Sequence, residues 1–358
     1  MASPAPPLRV DLVADIETIE ALGPEWAALE ERTPEATGFQ SFAWCRAWLG
    51  AGGEACEARV ITVREDDRLV ALLPLQIDTR FGVRIARWLG EPMTQYGDAL
   101  AEAGERRRVW LAAALDELEG HADVDLYAFM RLRADGVFAG CGGAAPASIV
   151  APFIDFSQRP APRRRQKSQK RREQRLAAFG TARVEEASEA PERARLALAA
   201  LSLKREWLRS KGLVSLGLSN GKTGAFLENL ARSGFLRAHA LRLGEEIAAL
   251  ELGFVGGGAY RSLLGSYDLR FQIGAPGHAL TARLIETCAA EGLAGFDFLA
   301  PGDSYKLSAA SGATPILQRM TARTLRGRIA SFALTSLRPA AKKLLAALAG
   351  LRTVRPHR

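Results

Sequence analysis

Between Tyr267 and Lys306 the chain gathers a Gly274-Ala275-Pro276-Gly277 turn, a histidine at 278 and three side chains able to move or steady charge, Asp268, Tyr305 and Lys306. From His278 to Glu291 the apolar Leu280, Leu284 and Cys288 recur every four positions among Arg283, Glu286 and Glu291, which predicts a helix with one buried stripe. A helix start presents unpaired N–H groups and the positive end of its dipole, and a glycine there lets a phosphate approach the backbone. Gly274, Ala275, Pro276, Gly277 and His278 are therefore the expected anion cradle, against the plainer reading of an ordinary strand-to-helix turn. Lys306 could offset phosphate or oxyanion charge, and Asp268 could act as a base or orient a reactant. As structural residues these two would be a surface cation beside Asp303 and a strand-end cap.

The elements that must position these groups follow from patterning. Phe235–Leu243, Ile247–Val255 and Ala259–Ser266 are β-rich runs separated by Gly244-Glu245-Glu246 and Gly256-Gly257-Gly258, which predicts a three-strand meander. After the helix come a strand at Phe296–Ala300, a short helix capped by Asp303 that carries Tyr305 and Lys306, and a last strand near Thr314–Thr321. The expected order is β-β-β-α-β-α-β. The N-terminal half repeats the rhythm without a phosphate turn: a hairpin of Ala58–Arg64 and Leu69–Ile77 across Glu65-Asp66-Asp67-Arg68, a helix near Glu105–Glu119 and a strand at Val124–Met130. Trp44 and Trp48, four apart on a helix after Ser41, are expected in the core. Tyr96-Gly97-Asp98 falls in a loop, where polar groups more often serve binding, so Tyr96 and Asp98 are expected to touch the acceptor.

This order, together with Tyr267-Asp268, the Pro276-Gly277 turn, Phe296-Asp297-Phe298 and Gly302-x-x-Tyr305-Lys306, resembles the GNAT acyltransferase superfamily. Within it the chain resembles the CelD/BcsL-type acetyltransferases linked to cellulose and exopolysaccharide production, relatives of the FemAB aminoacyltransferases. Phe39-x-Ser41-x-x-Trp44-x-x-x-Trp48 and Tyr96-Gly97-Asp98 are further matches, so the likeness spans roughly residues 39 to 321. The resemblance implies an α/β (α+β) fold of two tandem GNAT-like units, each a mixed, mostly antiparallel sheet flanked by helices. It implies transfer of an acyl group, acetyl above all, from acetyl-CoA or another acyl-CoA to an amine or hydroxyl. The acceptor would be a small molecule or a nucleotide- or lipid-linked glycan or amine of the cell envelope or an exopolysaccharide. Lys306, Asp268 and Tyr305 then become the expected catalytic residues, with Tyr305 bonding the acyl oxygen or the leaving thiolate. One departure is visible: the family's longer Arg/Gln-x-x-Gly-x-Gly/Ala loop is here only Gly274-Ala275-Pro276-Gly277. The rival readings are a FemAB-like transferase dependent on aminoacyl-tRNA and a non-catalytic adaptor for nucleic acid or membrane. No nucleophile stands with any of His121, His239, His278 or His357, so direct transfer without a covalent acyl-enzyme is expected.

Charge divides the chain. Residues 1–162 hold 15 Lys/Arg against 25 Asp/Glu, 163–175 hold 8 against 1, 176–303 are balanced at 14 each, and 304–358 hold 11 against none. The boundaries expected are 1–160 for a degenerate first unit, 161–180 for a basic linker helix, 181–322 for the unit with the donor site, and 323–358 for a basic amphipathic tail. Arg171 and Arg172 of the linker are expected to face an anionic substrate, although such runs are usually solvated. The tail mixes Ile329, Phe332, Leu334 and Leu337 with Arg326 and Arg328, and Pro339 should split it into two helices. Its apolar face could pack on the second unit or lie on an anionic inner membrane. No run of 18 apolar residues occurs and the N-terminus lacks a signal pattern, so the expectation is a cytoplasmic protein that could touch the inner membrane peripherally through that tail. Cys45, Cys56, Cys141 and Cys288 are far apart and suggest neither disulfides nor a metal site.

Overall fold

The computed structural model describes residues 7–52, 56–158 and 167–337. The first half runs β1 (Leu8–Val13), α1 (Ile16–Ala21), α2 (Gly23–Glu31), α3 (Phe42–Gly52), β2 (Glu57–Glu65), β3 (Arg68–Arg80), β4 (Val83–Trp88), the two-residue β5 (Leu100–Ala101), α4 (Arg107–Gly120), β6 (Leu126–Arg133) and β7 (Ala145–Asp155). The second runs α5 (Lys167–Ala177), β8 (Ala182–Glu186), α6 (Ala190–Ser210), α7 (Thr223–Arg232), β9 (Arg237–Leu243), β10 (Glu246–Gly256), β11 (Ala259–Tyr267), α8 (Pro276–Ala290), β12 (Gly295–Asp297), α9 (Ser304–Ala309), β13 (Gly312–Ala322) and α10 (Leu325–Phe332). The expected order of the second half is present. Hairpin chemistry is local: Asp66 and Asp67 both take positive φ, 48° and 62°, the two-residue turn that matches strand twist.

The two halves repeat one plan. In each, a meander leads to a strand (β4 or β11), a helix crosses (α4 or α8), and the next strand (β6 or β12) returns parallel to it. Every other pairing among the described strands is antiparallel, as expected. The pairing also crosses between halves. β13 lies between β6 and β7, and β7 lies between β13 and β12, so each half lends its last strand to the other. One sheet, β1-β2-β3-β4-β6-β13-β7-β12-β11-β10-β9-β8, therefore runs through the described residues.

Aromatic packing joins the halves on one side of that sheet. Trp44 and Trp48 are buried as expected, and both meet Phe226 of α7 edge-on, at 4.8 and 5.3 Å between ring centres. A polar hub joins them at the strand exchange. Asp297 of β12 accepts from Tyr96 Oη at 2.7 Å, Arg133 Nη1 at 3.1 Å, Arg261 Nη1 at 2.5 Å and the Leu299 N–H at 2.9 Å. Asp297, Tyr96 and Arg261 are all buried, so each charge in the hub depends on the others.

Candidate functional site

The parallel pair β11 and β12 holds together only at Ala259–Arg261 against Gly295–Asp297. Past Asp297 the chain turns away while β11 runs on to Tyr267, and a fork opens between them. On the other flank of β11, Leu252 pairs with Leu264 and Gly253 with Ser262, which leaves Leu263 as the extra residue of a bulge. Bulges re-aim side chains and are frequent beside active sites.

Lys306 sits at the fork. The first turns of α9 bring it back over the strand end, where Nζ donates to the carbonyls of Phe298 at 3.0 Å and Leu299 at 3.3 Å. Burial lowers its pKa, although Asp303 and Glu251 pull the other way. Next to it in the chain, the half-exposed Tyr305 stands edge-on to His278, with ring centres 4.9 Å apart. Burial lifts the Tyr305 phenol to about 12, so it stays a hydrogen-bond donor.

Beside the bulge lies a residue that the sequence reading passed over. Glu251 of β10 is 3% exposed and accepts from Ser262 Oγ at 2.5 Å. Burial raises its pKa to about 7, and Ser262, Lys204 and Lys306 only partly oppose that rise. Gly265 gives it room, since a Cβ there would lie 2.7 Å from Glu251 Oε2. Lys204 of α6 lies 4.6 Å from the Trp207 ring, and Trp207 Nε1 donates to Tyr267 Oη at 2.9 Å. A signal for Glu251 did exist: it is the one acid inside the apolar run Ile247–Val255.

The anion cradle is narrower than its five residues suggested. Gly274 is buried beneath Leu176 of α5, where a Cβ would lie 2.5 Å from Leu176 Cδ2, so packing explains that glycine. Ala275 takes a left-handed conformation (φ +49°) and its N–H is used by Gln272 O at 3.0 Å. Pro276 opens α8 and has no N–H. Gly277 and His278 remain, at a helix start without a side-chain cap. Burial and the nearby Arg172 lower the pKa of His278, which keeps the ring neutral there.

Three expected residues do other work. Asp268 caps a 3₁₀ turn at Leu269–Gly274, accepting from the Arg270 N–H at 2.8 Å and from Arg270 Nε at 2.9 Å; these bonds hold its carboxyl below the usual range. Tyr96 is buried in the Asp297 hub rather than exposed to an acceptor. Asp98 is 5% exposed and accepts from the N–H groups of Ala99, Val137 and Phe138. The physical reason is that their loop lies inside the core: a Cβ on Gly97 would collide with the Trp88 ring, which covers it. Asp303 stands at the cap position of α9 but its side chain makes no capping bond. Arg171 is exposed and Arg172 half-exposed on α5, whereas Arg163, Arg164 and Arg165 lie outside the described residues.

The remaining expectations divide. Cys45, Cys56, Cys141 and Cys288 are free, with Cys45 and Cys288 buried. Among the described residues no group of His, Cys, Asp and Glu could hold a metal, and no helix is long and apolar enough to cross a membrane. The tail begins with α10, which packs on β4, β6 and β13 and thus on the first half, not on the second unit alone. Gly327 makes that contact possible, since a Cβ would strike Asp125 O. Leu325, Ile329 and Phe332 stay 72%, 64% and 59% exposed, and Pro339 with the expected second helix lies outside the described residues.

Residues 163–307, from α5 into α9, match the family model described as an acetyltransferase (GNAT) domain. No curated protein matches the chain. Among solved structures it is similar to FemX, with a TM-score of 0.59 and 10% identity over 87% of this chain and 97% of that one. It is also similar to L-PGS from Bacillus licheniformis, with a TM-score of 0.54 and 16% identity over 95% of this chain and 98% of that one. A third similar structure is the C-terminal domain of a protein described as a lysylphosphatidylglycerol synthetase from Agrobacterium fabrum (TM-score 0.55, 12% identity, 89% and 97% covered). At such identities these likenesses speak for the fold. Residues 163–307 thus match an acetyltransferase domain of the GNAT type, and the chain that carries them is a transferase.

Proposed function

We propose that the chain transfers an acyl group, with acetyl as the simplest case, from an acyl-CoA to an amine or hydroxyl of a cell-envelope or exopolysaccharide-related acceptor. The observation that carries this reading is a buried carboxylate, Glu251, within electrostatic reach of the half-buried Lys306 at the strand fork, among the residues that match the acetyltransferase domain. In the proposed step the acceptor nitrogen or oxygen bonds to the thioester carbonyl carbon, and Glu251 takes the proton it loses, directly or through one water. Lys306 sets its charge against the oxygen that becomes negative. The carbon–sulfur bond then breaks, and Tyr305 hydrogen-bonds the departing thiolate. The open N–H groups of Gly277 and His278 hold the donor's diphosphate. Release of free thiol on mixing acyl-CoA with a panel of amines and sugars tests the reaction.

Gly277→Asp tests the donor's place. A Cβ at Gly277 lies 3.6 Å from Tyr267 Cδ1, an ordinary contact, and a carboxylate in the first turn suits the helix dipole. The variant should therefore keep its melting temperature while losing the thermal stabilisation that acetyl-CoA gives the parent. Undiminished stabilisation would move the donor elsewhere.

An aminoacyl-tRNA donor is the second reading, favoured by the basic α5 and by the likeness in fold to FemX and L-PGS. It requires nucleic acid that copurifies and dissociates steeply with salt. We further propose that the exposed Leu325, Ile329 and Phe332, with Arg326 and Arg328 beside them, rest on anionic lipid. The chain should then sediment with phosphatidylglycerol vesicles, and the double variant Ile329→Glu, Phe332→Glu should not. Equal sedimentation of both would remove the tail from membrane contact.

A further inference from the structure

The β3–β4 hairpin turns on Phe81 and Gly82, which join the paired residues Arg80 and Val83. Both take positive φ, 50° and 74°, the same two-residue geometry that Asp66 and Asp67 adopt between β2 and β3. Glycine, asparagine and aspartate suit that region, and Gly82 and the two aspartates obey the rule. Phe81 breaks it. A bulky side chain in the left-handed region costs free energy that packing or binding must offset. Packing does not: Phe81 is fully exposed, more so than any other large apolar side chain among the described residues, and a Cβ added to its neighbour Gly82 would meet nothing.

The surroundings of the tip say what could receive it. Val83, two residues past Phe81, packs in one cluster with Ile85, Leu126, Ala128, Ala330 and Leu334, so the tip stands beside α10. That helix turns Gly327 and Ala330 inward and carries the exposed Leu325, Ile329 and Phe332 on its opposite stripe. The charges there are basic and available. Arg80 is exposed at the foot of the tip, and Arg326 and Arg328 are exposed on the two flanks of the outer stripe. The acids nearest the hairpin, Glu57 and Asp123, are already held by Arg59 and Arg84. A ring at the apex of a two-residue turn covers far too little area for a protein interface, which takes roughly 800 Å² per partner. A bilayer asks for less, a projecting apolar group that reaches the acyl chains and basic groups that stay among anionic headgroups.

We propose that Phe81 inserts into an anionic lipid bilayer as a second point of contact beside α10. The inference rests on the lipid reading of α10 for the plane of contact and adds what that helix leaves open. A single helix lying in an interface lets the body roll about the helix axis; a hairpin tip seated beside it removes that freedom and fixes which side of the molecule faces the lipid.

Phe81→Trp in the full chain reports insertion directly, because Trp26, Trp44, Trp48, Trp88 and Trp110 are buried and the parent serves as the blank. With phosphatidylglycerol vesicles whose acyl chains are brominated, the added emission should shift to the blue and be quenched. Phe81→Gly suits the turn, so it should melt at or above the parent, yet bind the vesicles about tenfold more weakly. No quenching in Phe81→Trp, or parental vesicle affinity in Phe81→Gly, overturns the hairpin contact whatever α10 does. Loss of binding in Phe81→Gly with full binding by the double variant Ile329→Glu, Phe332→Glu upholds the hairpin and removes the α10 reading instead. A parent that binds no vesicles removes both. A lipid-free dimer in ultracentrifugation that Phe81→Gly dissolves would assign the tip to a second copy of the chain and overturn the proposal.

Discussion

Glu251→Gln should cut the transfer rate by about 10²- to 10⁴-fold, the usual contribution of a positioned base, while making the protein more stable. The two effects have one cause. Burial lifts the Glu251 carboxyl from its ordinary 4.5 to about 7, so the folded chain holds that proton more tightly than the unfolded chain does. For a group raised in this way, stability is fullest below about 4.5 and falls as pH climbs to about 7, where the ionised form is at its most costly. On the order of 3 kcal/mol is at stake above pH 7. Glutamine keeps an oxygen for Ser262 and carries no charge, so the variant should melt higher than the parent at pH 8 and alike at pH 4. Activity has the opposite slope. The base works only when ionised, so parental kcat/KM should rise about tenfold per pH unit towards 7 and then level, a limb that the variant lacks. Loss of activity together with loss of stability at pH 8 would make Glu251 a structural residue only.

Asp297→Ala should cost about 3–5 kcal/mol, because it strands the buried Arg261 guanidinium, takes one partner from the half-buried Arg133, which keeps Asp135, and frees the Tyr96 hydroxyl and Leu299 N–H. A drop of roughly 10 °C in melting temperature follows. Asp297→Asn should lose less, since an amide oxygen still accepts from Tyr96 and Leu299. The same carboxylate holds the turn whose carbonyls bind Lys306, so activity should fall in Asn as well, ahead of stability. Thermal melts and thiol release on both variants check this, and an Ala variant that melts like the parent would mean that the hub is dispensable.

Local pattern explains which parts were legible in the sequence. The meander β9-β10-β11, helix α8 and strand β13 follow from alternation, glycine turns and a four-residue stripe, all short-range signals. The strand exchange of β7 and β13 depends on pairings between residues far apart in the chain, as in Leu126 with Ala322, and no local pattern encodes them. The same limit misplaced Tyr96 and Asp98: a polar triplet in a loop reads as surface until Trp88 and Phe138 close over it. Asp268 and Lys306 were both legible as polar residues at element ends. Only the fold separates them, since Asp268 is spent on Arg270 while Lys306 reaches the fork.

The most direct test is native mass spectrometry of the chain with a panel of acyl-CoAs. The account predicts one donor bound per chain without covalent attachment, absent in Gly277→Asp and retained in Glu251→Gln. A chain that binds none of the donors, or that carries an acyl group surviving denaturation, would contradict it.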